Sequence, residues 1–215
     1  SKSENTAINA QGQAFIDYWS LIYPVELRGQ GDLVPTNARQ SFNASVGISQ
    51  VLDKKTQVSL NLEGTLMNGL LSTPFHRVFF QEQTLPKVER LPMSRVKLPV
   101  GVRLNRYVTD WLVARMYYRF YWDDWGIMGH TASIELPIKL NRFLFLAPFY
   151  RYHTQTAADY YQPYKVHTLN SEFYTSDTDL AALQSHSFGL GVSYQPAGGI
   201  FKMGPEVITI SQPET

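Results

Sequence analysis

Cysteine is missing from all 215 residues. Its absence removes disulfide frameworks, thiolate zinc sites, iron–sulfur clusters and cysteine nucleophiles together. No apolar run approaches the roughly 18 residues that a membrane-crossing helix needs, a criterion that does not bear on a β-barrel. Charge is scarce and balanced: charged residues make up 17%, and 19 Lys and Arg against 18 Asp and Glu leave a formal net charge of +1. Such a chain has no global field to gather nucleic acid, so no nucleic-acid partner is expected. Glycine-rich phosphate loops, zinc-helix motifs, repeats of fixed period and low-complexity tracts are absent as well. The opening Ser-Lys-Ser-Glu-Asn-Thr has neither a start methionine nor an apolar leader, as expected of a processed or partial chain.

Aromatic residues are plentiful, at 13% with 13 Tyr and 12 Phe, and with so little charge the chain is expected to fold. Its dominant signal is alternation. Across residues 95–105, Val96, Leu98, Val100, Val102 and Leu104 hold every even position, while Arg95, Lys97, Pro99, Gly101, Arg103 and Asn105 hold the odd ones. The same period of two runs through residues 57–66 and 131–139, and more weakly through 42–52, 112–122, 144–154 and 188–194. Helical spacing would scatter these apolar residues around a cylinder, so each stretch predicts a β-strand. Residues 12–27 are ambiguous, and residues 201–210 form a poorly patterned candidate for a last strand.

The connections alternate short and long. Tight turns are expected at Asp53-Lys54-Lys55, Thr109-Asp110, Asn141-Arg142 and Pro196-Ala197-Gly198-Gly199, with longer loops at residues 69–91, 123–129 and 156–184. In an up-and-down sheet all turns then fall at one end and all loops at the other, the habit of outer-membrane barrels. The strands run about 10 to 14 residues, enough for the 9 to 11 that cross hydrocarbon at a tilt. Aromatic residues collect toward strand ends, as interfacial girdles do. The expected fold is therefore all-β: an antiparallel up-and-down transmembrane β-barrel with at least eight strands in this chain, possible part of a larger one. Residues 1–36 form an ambiguous segment with a possible extra strand, residues 37–212 the barrel and residues 213–215 a tail. A soluble lipid-binding barrel with its apolar face turned inward is the alternative.

The stretch Tyr117-Tyr118-Arg119-Phe120-Tyr121-Trp122-Asp123-Asp124-Trp125-Gly126-Ile127, followed by Gly129-His130-Thr131, is distinctive. With Ser45-Val46-Gly47-Ile48-Ser49-Gln50-Val51-Leu52, Leu71-Ser72-Thr73-Pro74-Phe75, Tyr150-Arg151-Tyr152, Gln155-Thr156-Ala157-Ala158-Asp159-Tyr160-Tyr161 and the segment from Leu180 to Phe188, it resembles a bacterial outer-membrane family catalogued as a domain of unknown function (three-five-seven-zero). The resemblance covers roughly residues 40–195. It implies a barrel in the outer membrane of a Gram-negative bacterium, and gene neighbours that attach flavin to extracytoplasmic proteins, hence surface redox work. It also implies longer relatives, so that further residues or partner chains are expected to complete the wall.

Candidate chemistry gathers near one rim. Arg115, Arg119 and Asp123 share the parity opposite to the apolar face of their strand, Asp124 follows in the loop, His130 begins the next strand and Glu135 shares its polar parity. The plain reading is an Arg–Asp ladder that keeps interior charges paired. Activation of water by the carboxylates Asp123 and Asp124 with His130, in a surface hydrolase, or divalent-cation binding are the sharper readings. A second group comprises Arg151, His153 and Asp159. The segment Phe75-His76-Arg77-Val78-Phe79-Phe80 is apolar for a loop, so Phe75, His76, Arg77, Phe79 and Phe80 are either a partner-binding loop or packed on a neighbouring loop. No catalytic residue, cofactor or metal is assigned. The expected partners are outer-membrane lipid and other envelope proteins, the expected role that of anchor, conduit or subunit.

Overall fold

A computed structural model describes residues 5–29 and 33–195. They form one antiparallel 10-stranded sheet and a 2-stranded hairpin. The strands are β1 (Thr6–Tyr18), β2 (Ala38–Asp53), β3 (Thr56–Gly69), β4 (Arg77–Val78), β5 (Lys87–Val88), β6 (Ser94–Lys97), β7 (Val100–Thr109), β8 (Leu112–Trp122), β9 (Met128–Glu135), β10 (Ile138–Lys139), β11 (Leu144–Gln155) and β12 (Leu183–Tyr194). Each wall strand pairs with its sequence neighbour: β1 with β2, β2 with β3, β3 with β6 and β7, β7 with β8, β8 with β9 and β10, and these with β11, which pairs with β12. Among the described residues no helix is long and apolar enough to cross a membrane.

The sheet is the meander that the alternation predicts. Two stretches read as continuous are broken, at Leu98-Pro99 between β6 and β7 and at Leu136-Pro137 between β9 and β10. Proline has no N–H to give to a ladder. Its carbonyl still works: Pro99 accepts from the Glu63 N–H at 3.0 Å and Pro137 from the Val113 N–H at 3.0 Å. The ambiguous N-terminal stretch contains most of β1, followed by a 3-10 turn at Val25–Leu27. The turns at Asp53, Thr109 and Asn141 connect adjacent wall strands. The turn at residues 196–199 and the candidate strand at 201–210 lie outside the described residues.

Register keeps the two faces apart across the whole sheet. Ile8 pairs with Ile48, Ile48 with Leu60, Leu60 with Val102, Val102 with Tyr118 and Tyr118 with Ala132. The adjoining polar row runs Asn9, Gly47, Asn61, Gly101, Arg119, Thr131, His153 and Ser185. Even-numbered wall residues thus form an apolar face and odd-numbered ones a mostly polar face. The apolar face is open to its surroundings: Ile8 is 71% exposed, Leu66 52%, Phe188 77% and Leu190 61%.

Crowding tells the faces apart in shape. A Cβ added at Gly47 would lie 2.1 Å from Asn9 Oδ1, and one at Gly101 3.0 Å from the Tyr117 hydroxyl, whereas at even-face Gly12 it would meet nothing within 4 Å. Gly64, also on the even face, would meet only Leu98 at 3.8 Å, and the hollow of about 690 Å³ lined by Glu63, Arg103, Arg119 and Arg151 makes the polar face the concave one.

Burial is concentrated where the long loops meet. Leu91, Trp125, Ile127, Ala158 and Leu180 make one buried cluster drawn from three loops. Isolated bridges Phe80–His167, Arg90–Tyr174 and Tyr161–Thr175 tie the same loops together. The cap behaves as a small domain core set on the wall, and Trp125, only 2% exposed, is its largest buried side chain. Replacing Trp125 by alanine is expected to cost about 3 to 5 kcal/mol of local stability. Limited proteolysis should show cleavage within residues 156–182 of the variant, with strand circular dichroism unchanged.

Candidate functional site

The wall brings five of the expected rim residues onto the concave face. Arg115 and Arg119 leave β8, Glu135 leaves β9, and Arg151 and His153 leave β11, all at odd positions. Arg115 Nη1 donates to Glu135 Oε1 at 3.2 Å and Arg119 Nη2 to Glu63 Oε2 at 3.4 Å. His153 Nδ1 lies 2.8 Å from Thr131 Oγ1 and its Nε2 3.4 Å from Gln155 Oε1. Arg103, Arg115, Arg119, Arg151, Glu63 and Glu135 line a hollow of about 690 Å³, to which Thr131 but not His153 contributes. Glu63 and Arg103, which come from β3 and β7, belong to the same group but stand far from it in sequence; the odd parity they share with it is the signal that finds them.

Asp123 is placed elsewhere. β8 ends at Trp122, and the next residue turns away from the hollow into the cap, where its side chain is wholly buried. One carboxylate oxygen, Oδ2, accepts from Arg95 Nε at 3.0 Å, from a second Arg95 nitrogen and from the Tyr121 hydroxyl at 2.8 Å. The other, Oδ1, accepts the backbone N–H of Trp125 at 3.1 Å and of Ile127 at 3.0 Å. Gly126, at φ +87°, closes this turn in the left-handed region, and the Arg95 guanidinium also sits 4.2 Å from the Trp125 ring centre. The node pins the β8–β9 hairpin to the wall.

Asp124 has a different task. Its Oδ1 accepts the Val96 N–H at 2.9 Å, and its own N–H donates to the Val96 carbonyl at 3.1 Å. His130 is at an even position, on the apolar face, with Nδ1 2.7 Å from the Tyr118 hydroxyl and its ring 5.3 Å from that of Phe120. Asp123, Asp124 and His130 therefore occupy three separate environments and do not assemble a water-activating constellation. Asp159 is also in the cap, its carboxylate against Gly126. Among the described residues no group of three or more His, Cys, Asp or Glu has the arrangement to hold a metal ion.

The apolar loop folds into the cap. Phe80 is fully buried, 4.8 Å from the Tyr174 ring and 5.8 Å from His167. Phe79 packs 5.0 Å from Tyr164 and Phe75 4.9 Å from Tyr23, Arg77 pairs with Glu26, and His76 accepts the Glu89 N–H through its carbonyl at 2.7 Å.

Beside them lies a buried carboxylate that sequence reading missed. Glu89, 4% exposed, accepts the Thr73 N–H at 2.7 Å and the hydroxyl of Thr175. Burial pushes its carboxyl above the usual glutamate range, against the pull of those hydrogen bonds and of His76.

Two outcomes are expected. Asp123→Ala leaves the Arg95 guanidinium without its buried partner and should cost about 3 to 5 kcal/mol, whereas Asp124→Asn keeps an acceptor for Val96 and should stay within about 0.5 kcal/mol; denaturant titration followed by tryptophan fluorescence measures both. Because the Glu89 carboxyl is raised on folding, its contribution is fully favourable below the unfolded-state value and is lost as pH rises through the folded one. In Glu89→Gln the Thr175 hydroxyl can turn to accept from the new amide while Thr73 keeps an acceptor. Cap proteolysis should therefore lose part of its pH dependence above the ordinary glutamate range, from about pH 4 upward, in the variant.

The model of a family described as "Protein of unknown function (DUF3570)" matches residues 7–207, so the chain belongs to that family. No curated protein and no solved structure matches it.

Proposed function

We propose that this DUF3570 family member is the wall of an outer-membrane β-barrel in a Gram-negative bacterium, acting as anchor, conduit or subunit of a cell-envelope assembly. The observation that carries the reading is the inverted distribution of side chains: polar residues on the concave face and apolar ones on the exposed face. Leaving a single large apolar side chain in water rather than burying it forgoes about 1.5 to 3 kcal/mol. A face that repeats such residues on every wall strand calls for a non-aqueous neighbour. Strand length agrees, since β1, β2, β3 and β11 have 13, 16, 14 and 12 residues, against roughly 9 to 11 needed to cross hydrocarbon at a tilt.

Aromatic side chains stand at both ends of the exposed face. Trp111 and Tyr194 lie at the turn end, 54% and 52% exposed, and Tyr18 and Trp122 at the loop end, in keeping with interfacial belts. A lipocalin-like soluble barrel would need the opposite arrangement, with apolar side chains on the crowded face. The link to extracytoplasmic flavin proteins rests on the family resemblance alone, and envelope proteins are the partners this reading favours.

Insertion into phosphatidylcholine vesicles tests it. The chain should require detergent for solubility and should enter vesicles with its strands protected from protease. Leu62→Arg, on the exposed face between Val46 and Val100, should impair insertion by about 2 to 4 kcal/mol. Ser45→Arg, facing Glu63 on the concave side, should insert normally. A chain that stays dissolved and monodisperse without detergent, with Leu62→Arg indistinguishable from it, would overturn the reading.

A further inference from the structure

The concave hollow holds more positive charge than its own carboxylates neutralise. Arg103, Arg115, Arg119 and Arg151 line it, against Glu63 and Glu135. Register fixes their arrangement. Arg103 pairs with Tyr117, Tyr117 with Ser133 and Ser133 with Arg151, so the two outer arginines end one row across four strands. Three strand spacings put their backbones about 14 Å apart, with long side chains reaching in from either end. Arg115 and Arg119 flank Tyr117 along β8, two residues to each side.

The four are not equally committed. Arg115 and Arg119 have the carboxylate partners already described, but those pairs are open to solvent, with side chains 38 to 54% exposed. Exposed pairs of this kind contribute about 0 to 1 kcal/mol and rearrange cheaply. Arg103 only spreads its guanidinium 5.5 Å from the Tyr117 ring centre, and neither it nor Arg151 has a carboxylate partner among the described residues. The space between them has a floor of small or flat residues: Ser133 lies in the row, and the Tyr117 hydroxyl leans over Gly101, where a Cβ would come within 3.0 Å of it.

We propose that this hollow binds a small multivalent oxyanion, of polycarboxylate or phosphate type, clamped between Arg103 and Arg151 over Ser133 and Tyr117, with Arg115 and Arg119 recruited from their exposed pairs. Guanidinium groups present paired donors in a plane that matches both anion types, and charge-assisted bonds of this kind are the strong ones. A hollow of about 690 Å³ falls within the range of small-ligand sites. The site deepens the conduit reading by naming what the interior holds, although its binding chemistry belongs to the polar face and does not depend on what covers the apolar one.

Calorimetric titration of the full chain, in detergent micelles or in buffer wherever it dissolves, tests this with citrate in one arm and inorganic phosphate in the other, at low ionic strength. Saturable one-site binding is expected in at least one arm, and the tighter arm assigns the class. Arg103→Gln and Arg151→Gln should each weaken it about tenfold or more. Arg106→Gln is the control, because Arg106 lies on the even face and donates to Thr56 Oγ1; it should bind as the parent does. Ser133→Glu, which sets a carboxylate between the arginines, should abolish binding while strand circular dichroism is retained, and it decides the matter should an arginine variant misfold. Absence of saturation in both arms, equal weakening by Arg106→Gln, or undiminished binding by folded Ser133→Glu overturns the proposal. Anion binding by a chain that fails to enter vesicles would remove the membrane reading and leave this site standing; insertion without binding would do the reverse.

Discussion

A β-strand sends successive side chains to opposite faces, and everything in this molecule depends on that parity being kept from one edge of the sheet to the other. Even residues pair with even residues in the ladders from β1 to β12. One slip of a single residue between β7 and β8 would carry Arg115 and Arg119 to the apolar face and bring Tyr118 and Phe120 into the hollow. The irregularities in register after Val51 and Tyr107 are confined to the turn end, beside the Asp53 and Asp110 turns. There the chain reverses and parity no longer has to be held. The wall is thus specified less by any single contact than by the agreement of its rows.

That partition leaves the wall without an ordinary core, since its concave face is polar and its apolar face is open. Compact burial falls instead to the cap, where loops separated widely in sequence share Trp125, Leu91 and Leu180. The two parts are joined at Asp123. A buried ion pair yields little net stability when weighed against a well-packed apolar substitute, but it is costly to break once formed. Both oxygens of Asp123 are satisfied by groups from the wall and from the hairpin, so the pair fixes where the cap sits. Glu89 and Thr175 do the same within the cap, 86 residues apart in the chain.

What could be read from the residues follows the same division. β8 spans Leu112–Trp122, the stretch that alternation marks out, and β2, β3 and β11 extend the expected stretches by a few residues, because hydrophobic contrast between neighbours is strong there. β1 is poorly legible: its even face uses Ala10, Gly12 and Ala14, too small to contrast with the glutamines beside them. Of the site, Arg115, Arg119, Glu135, Arg151 and His153 can be placed on one face by counting in twos. Asp123 has the same parity, but parity is silent once the backbone leaves the strand, and its carboxylate belongs to the cap. His130 sits at an even position, and counting alone separates it from Glu135. Arg103 and Glu63 could be assigned a face but not a place in the hollow, because which strands flank β8, and in what register, is set by pairing. Glu89, like the buried side of the Phe79-Phe80 loop, depends on contacts between loops that leave no local pattern.

The edges extend the parity rule beyond the described sheet. Soluble sheets guard their outer strands with lysine, proline or bulges, because an unpaired ladder recruits other strands. β1 and β12 carry none of these: neither contains Lys, Arg or Pro, and both keep the two-faced pattern apart from Phe15 in β1 and the Leu183, Gln184 and His186 end of β12. β12 sets Phe188, Leu190, Val192 and Tyr194 on the apolar face and Ser185, Ser187, Gly189, Gly191 and Ser193 on the other; β1 sets Ile8 and Ile16 against Asn9, Gln11 and Gln13. Only another two-faced strand can continue such an edge without placing polar groups among apolar ones. In hydrocarbon the requirement hardens, since each unpaired backbone group there costs several kcal/mol. The same alternation that divides the faces therefore also selects what can close the wall.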